Sequence, residues 1–67
     1  MQKITIKAAR VNSGRTQEQM AKELGVSLKY YNDIENGNIK IKPTILFAIC
    51  HITGFTEDEI SLPEKST

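Results

Sequence analysis

Between Thr16 and Gly37 the chain reads TQEQMAKELGVSLKYYNDIENG, two short amphipathic segments separated by a glycine that can stop one and a serine that can start the next. Thr16 is a good N-cap, and Gln19 three positions later completes the capping-box pattern, so a helix is predicted from Gln17. Met20, Ala21 and Leu24 then fall on one face of a 3.6-residue period, with Glu18, Lys22 and Glu23 on the wet side. Gly25 suits the left-handed conformation that closes a helix, and Val26 beyond it can fold back on the apolar face. Ser27 can cap a second helix running to about Asn36, with Tyr31 and Ile34 turned inward and Leu28, Lys29, Asn32 and Asp33 outward. So short a connection leaves the two helices few mutual arrangements.

Around this pair the sequence predicts an all-α chain of five helices. The first runs from about Ile4 to Asn12, with Ile6 and Ala9 inward, and ends at Asn12-Ser13-Gly14. After Asn36-Gly37-Asn38, a loop with Ile39, Lys40 and Ile41 leads to Pro43, a residue favoured at the first position of a helix because its missing N–H is unpaired there anyway. The fourth helix continues to Thr53. Its Ile45, Leu46, Ile49, Cys50 and Ile52 spread over more than one face, which implies central burial. Thr56 with Glu59 is a second capping box, and Glu57, Asp58 and Glu59 suit the positive end of a helix dipole, so a last helix with Ile60 and Leu62 as its apolar residues is expected before Pro63. One domain over 1–62 is expected, with a flexible C-terminal tail over 63–67.

Sixty-seven residues allow one small core, and a domain of this size buries only about 60% of its unfolded surface. The composition, 39% hydrophobic with no Trp, fits a small helical domain rather than a disordered chain. Cys50 and His51 are the single Cys and the single His, so neither an intrachain disulfide nor a familiar zinc site can be assembled, and no metal or cofactor is expected. Cys50 reads as a small buried hydrophobe. No nucleophile–base pair, glycine-rich phosphate loop or catalytic cleft is visible, so an enzyme is not expected, and nothing indicates a small-molecule effector. The absence of a signal-like apolar run and of any ~18-residue apolar stretch predicts a cytoplasmic protein without a membrane span. Net charge is +1, but unevenly placed: through Lys42 eight Lys/Arg face four acids, a balance of +4, and from Pro43 onward one Lys faces four acids, a balance of −3. Such asymmetry suits a molecule that turns one end toward phosphates, although charge runs are often only solvated faces.

Two helices joined by about four residues, the second capped and solvent-facing in its first half, match the geometry in which a helix enters a DNA major groove. The pattern Thr16-Gln17, Ala21, Gly25-Val26-Ser27, Tyr31 and Ile34-Glu35-Asn36-Gly37 resembles the helix-turn-helix of the Cro/repressor, or XRE, family of bacterial and phage regulators. Arg10 and the segment from Pro43 to Thr56 resemble the flanking helices of that family. The resemblance implies a compact five-helix, lambda-repressor-like fold with the motif at about 16–37, and double-stranded DNA as partner. It also implies a bidentate ion pair between Arg10 and Glu35 and a backbone-contacting role for Gln17.

On that reading Ser27, Leu28, Lys29, Asn32 and Asp33 are the candidate base readers. Lys29 can donate to guanine, Asn32 can reach an adenine edge, Leu28 can pack on a thymine methyl, and Ser27 can touch a phosphate or a base. Asp33 can accept from cytosine or simply pair with Lys29 at i,i+4. Candidate phosphate contacts are Thr16 and Gln17 on one side and Asn36, Gly37, Asn38, Lys40 and Lys42 on the other, with Arg15 and Tyr30 as additional clamps and with Gln17 and Asn36 alternatively serving only to shape their turns. Because one helix reads only about four base pairs, a homodimer on a pseudo-palindrome is expected. Ile39, Ile41, Phe55, Ile60 and Leu62 are either its interface or part of the monomer core. The leading expectation is a transcriptional repressor. A protein-interaction module that keeps the fold, an antitoxin-like or assembly subunit, is the alternative, favoured by Leu28, Tyr30 and Tyr31 and by the low net charge.

Overall fold

Strand β1 (Ile4–Thr5) leads without a break into helix α1 (Ile6–Asn12). Thr5 makes the join: its backbone is extended and its Oγ1 accepts the Ala8 N–H at 3.0 Å, satisfying one of the donors that a helix start leaves open. The helix therefore begins two residues later than the expected Ile4, and Ile4 is left to pair as a strand. These elements come from a computed structural model that describes residues 3–63.

Helices α2 (Gln17–Leu24) and α3 (Leu28–Asn36) follow with the expected caps. Thr16 and Gln19 exchange both capping-box hydrogen bonds, at 2.8 and 3.1 Å, and Ser27 Oγ accepts the Tyr30 N–H at 3.1 Å. At the end of α2, Gly25 takes φ +74° so that its N–H reaches the Lys22 carbonyl and the Val26 N–H reaches the Ala21 carbonyl. That paired return is a Schellman closure, and Gly37 with Asn38 repeats it on Ile34 and Asp33 at the end of α3. No side chain would be crowded by a Cβ on Gly25, so only its backbone angle resists substitution. Gly25→Ala is expected to cost about 1–2 kcal/mol through left-handed strain, lowering the midpoint of a thermal unfolding curve by about 4–8 °C per kcal/mol. An unchanged midpoint would show that the turn does not hold the two helices.

Helix α4 (Pro43–Thr53) begins at the proline and closes at Gly54. Of its apolar residues only Ile49 is fully buried; Ile45, Leu46, Cys50 and Ile52 are half-buried on the rim and Phe47 is 53% exposed. The expectation of central burial is thus corrected: α4 closes one side of the core. Burial and the nearby acids Glu57 and Glu59 push the Cys50 thiol up, which keeps it protonated and poorly nucleophilic.

The fifth helix is replaced by a single 3-10 turn, Glu57–Glu59, and strand β2 (Ile60–Ser61). Glu59 does accept the Thr56 N–H at 2.8 Å, as the capping pattern implies. Propagation then fails for two reasons. A nucleated turn needs further residues to recover its cost, and Pro63 disfavours helical backbone at Leu62, only three residues on. Extending instead lets β-branched Ile60 pair with Ile4, and Ser61 with Thr5, in a parallel two-stranded ladder. The tail expected at 63–67 lies, beyond Pro63, outside the described residues.

Ile6 and Ala9 from α1, Met20 and Ala21 from α2, Tyr31 and Ile34 from α3, Ile49 and Ile60 form one core, each no more than 3% exposed. Ile60 is therefore removed from the candidate dimer contacts. Ile39, Ile41 and Phe55 pack half-buried against the same core, and Leu62 is exposed. Among the described residues no helix is long and apolar enough to cross a membrane.

Candidate nucleic-acid interface

Tyr31 and Ile34 lock one side of α3 into the core, and this fixes which residues the helix can present outward. Leu28 is 41% exposed at its first turn, and the Lys29 side chain is 86% exposed. Ser27 is exposed, with its hydroxyl oxygen engaged as the cap. Asn32 and Asp33 are half-buried and already have partners. Asp33 accepts from Lys29 Nζ at 3.2 Å and from Asn38 Nδ2 at 3.3 Å, and these two hydrogen bonds, that from Asn38 first, hold its carboxyl below the ordinary range. The i,i+4 pairing is thus formed. It is exposed on the lysine side, where water and salt screen it, so Lys29 can be re-aimed cheaply.

The ends of α2 and α3 meet over a buried polar network. Arg10 Nε donates to Glu35 Oε2 at 2.7 Å, with side chains 10% and 2% exposed. The pair is not bidentate: another guanidinium nitrogen of Arg10 donates to the Arg15 carbonyl at 2.9 Å, which ties the α1–α2 loop to α1. Tyr31 Oη donates to the same carboxylate oxygen, and Gln17 Nε2 donates to Glu35 Oε1 at 3.1 Å. Burial alone would push the Glu35 carboxyl up, but the hydrogen bonds from Arg10, Tyr31 and Gln17 outweigh it and hold the group ionised below its usual range. The Tyr31 phenol is pushed well up by burial and by that carboxylate, so it stays a donor. Among the described residues no buried side-chain nitrogen or oxygen lacks a partner. Sequence reading misses Tyr31 as a polar participant; its i,i+4 spacing to Glu35 is the available signal.

Gln17 also donates to Asn32 Oδ1 at 2.8 Å, so its side chain turns toward α3 and away from solvent. Arg15 pairs with Glu23 at 2.6 Å in a partly exposed contact. Thr16, Asn36, Asn38, Lys40 and Lys42 lie at the surface to differing degrees, Gly37 sits in its turn, and Tyr30 is half-buried against the core. Lys7 and Val11, an i,i+4 pair on α1 that the sequence reading omits, line an open groove with Arg15, Thr16, Gln17 and Leu28. Lys7 thus lies beside Leu28 at the outward end of α3, next to exposed Lys29, while Lys40 and Lys42 are exposed on the loop that follows the other end of the helix.

A short helix anchored across the core, a glycine-closed turn and a second helix with a free, capped N-terminal half define a helix-turn-helix domain. The family model described as Helix-turn-helix matches residues 6–60, and the chain belongs to that family, in its XRE, or Cro/repressor, branch of regulators. It is 37% identical over 60 residues, 90% of this chain and 87% of the relative, to the Bacillus subtilis (strain 168) protein called "Uncharacterized HTH-type transcriptional regulator YazB". No solved structure gives a significant match.

Proposed function

We propose that the chain is a sequence-specific, double-stranded DNA-binding transcriptional regulator, a repressor that acts as a homodimer on a pseudo-palindromic operator. The observation that carries this reading is the two-sidedness of α3: Tyr31 and Ile34 sit at 0% and 1% exposure on one side while Leu28 and Lys29 stand clear on the other. Leu28, Lys29 and the Ser27 cap enter the major groove, Lys29 leaving Asp33 to donate to guanine and Leu28 meeting a thymine methyl. Asp33, once Lys29 has left, disfavours any edge without an amino group. The backbone N–H of Gln17 at the start of α2, with the side chains of Thr16, Asn36, Lys40, Lys42 and Arg15, holds phosphates on either side. Arg15 leaves an exposed pair to do so, at a cost below about 1 kcal/mol. The protein acts in the cytoplasm and needs no cofactor. Two copies supply the half-sites, about 34 Å apart between centres, with Leu62, Ile39, Ile41 and Phe55 as the contact surface.

The alternative, a protein-interaction module, is favoured by the exposure of Val11 and Leu28 along one groove. Tyr31 no longer supports it, since its ring lies in the core. Paired substitutions test the first reading. Lys29→Ala is expected to relax base preference at one position by about 1–3 kcal/mol, whereas Lys40→Ala weakens all duplexes alike and lowers the slope of log affinity against log salt by about one. Equal, sequence-blind losses from both would refute the assignment of α3 as the reading helix.

A further inference from the structure

Counting protons through the buried network gives Asn32 a fixed hand. The ionised Glu35 carboxylate can only accept. One of its oxygens takes Arg10 Nε and Tyr31 Oη, and the other takes Gln17 Nε2. The Gln17 amide must therefore turn its NH2, never its carbonyl, toward Glu35. The second proton of that NH2 goes to Asn32, which can receive it only on Oδ1. Asn32 then points its oxygen back at Gln17 and keeps Nδ2 as its free donor. Position 32 follows Leu28 by one helical turn, so the amide stands on the edge of α3 shared with that exposed residue.

We propose that Glu35 is a positioning residue for DNA reading: acting through Gln17, it sets Asn32 to present a donor to the duplex. This rests on the DNA-binding reading above. A donor at that position favours the keto edges of guanine and thymine, which offer O6 and O4, over the amino groups of cytosine N4 and adenine N6. It replaces adenine reading by Asn32, because the oxygen that would accept from N6 is committed to Gln17.

Glu35→Gln inverts the relay without changing its shape. Arg10 and Tyr31 both donate, so the new amide at position 35 must keep its oxygen on their side and turn its NH2 to Gln17. Gln17 then offers its carbonyl to both neighbours, Asn32 answers with Nδ2, and Oδ1 becomes the outward group.

Two measurements on the full chain test this. In the free protein, side-chain amide exchange by NMR should show both Gln17 protons protected and the Asn32 protons exchanging freely, whereas in Glu35→Gln the Gln17 protons should exchange freely and one Asn32 proton should be protected. Asn32 protected in the wild type would overturn the proposal whether or not DNA binds. In selection from random duplexes, one position should favour guanine or thymine for the wild type and shift by about tenfold or more toward cytosine or adenine for Glu35→Gln. If that variant does not fold, Gln17→Ala serves: it frees Asn32 to turn, and preference at that position alone should fall to within about twofold. Unchanged preference, or a loss spread over all positions, would overturn the proposal. Failure to select any duplex would overturn the DNA reading and this use of Asn32 with it, while the exchange pattern reports separately on the relay.

Discussion

Glu35→Ala is expected to remove most or all of the stability of this domain. The substitution leaves the Arg10 guanidinium, 10% exposed, without its anion and deprives Tyr31 and Gln17 of their acceptor. Breaking a buried pair in this way costs about 3–5 kcal/mol. A domain of 67 residues has about 3–10 kcal/mol in all. Urea unfolding followed by circular dichroism reads the effect, and a loss under about 1 kcal/mol would show that the network is not structural. The same group makes stability depend on acid. Its folded pKa lies below the ordinary 4.5, so its contribution is complete above that value and is lost as pH falls through the folded one. The wild type should therefore lose urea resistance from about pH 4.5 downward, whereas Glu35→Gln, starting lower, should show a shallower acid decline.

Ile60→Ala carries the next largest effect. The side chain is 3% exposed, and truncating a buried isoleucine costs about 2–5 kcal/mol. Leu62→Ala, two residues away and 40% exposed, should change monomer stability by less than about 0.5 kcal/mol. The contrast separates two roles that the sequence leaves together. If both variants were equally mild, Ile60 would belong to a surface and the β1–β2 pairing would not anchor the terminus. Analytical ultracentrifugation on the same pair reads association: a dimer that uses Leu62 should weaken in Leu62→Ala while its fold persists.

The helix pair was legible because each of its boundaries is written locally: Thr16, Gly25, Ser27 and Gly37 act within a few residues of themselves. The misread segments are those decided by distant partners. Thr56-Glu59 carries a sound helix-start pattern, yet Ile60 gains more from lying beside Ile4, at the far end of the chain, than from a turn that Pro63 must soon end. No periodicity in either segment announces a two-residue parallel pairing. The same holds at the candidate interface. Spacing identified Leu28 and Lys29 as outward, but the inward turn of Gln17 depends on acceptors on a different helix, and the second use of the Arg10 guanidinium depends on where the Arg15 carbonyl falls.

The central claim is that the exposed side of α3 reads duplex DNA, and the most direct test is selection from a random double-stranded pool at two salt concentrations. The account predicts enrichment of a dyad-symmetric motif whose half-sites are centred about one helical turn apart, with affinity falling steeply as salt rises. Weak binding without a preferred sequence, changing little with salt, would contradict it.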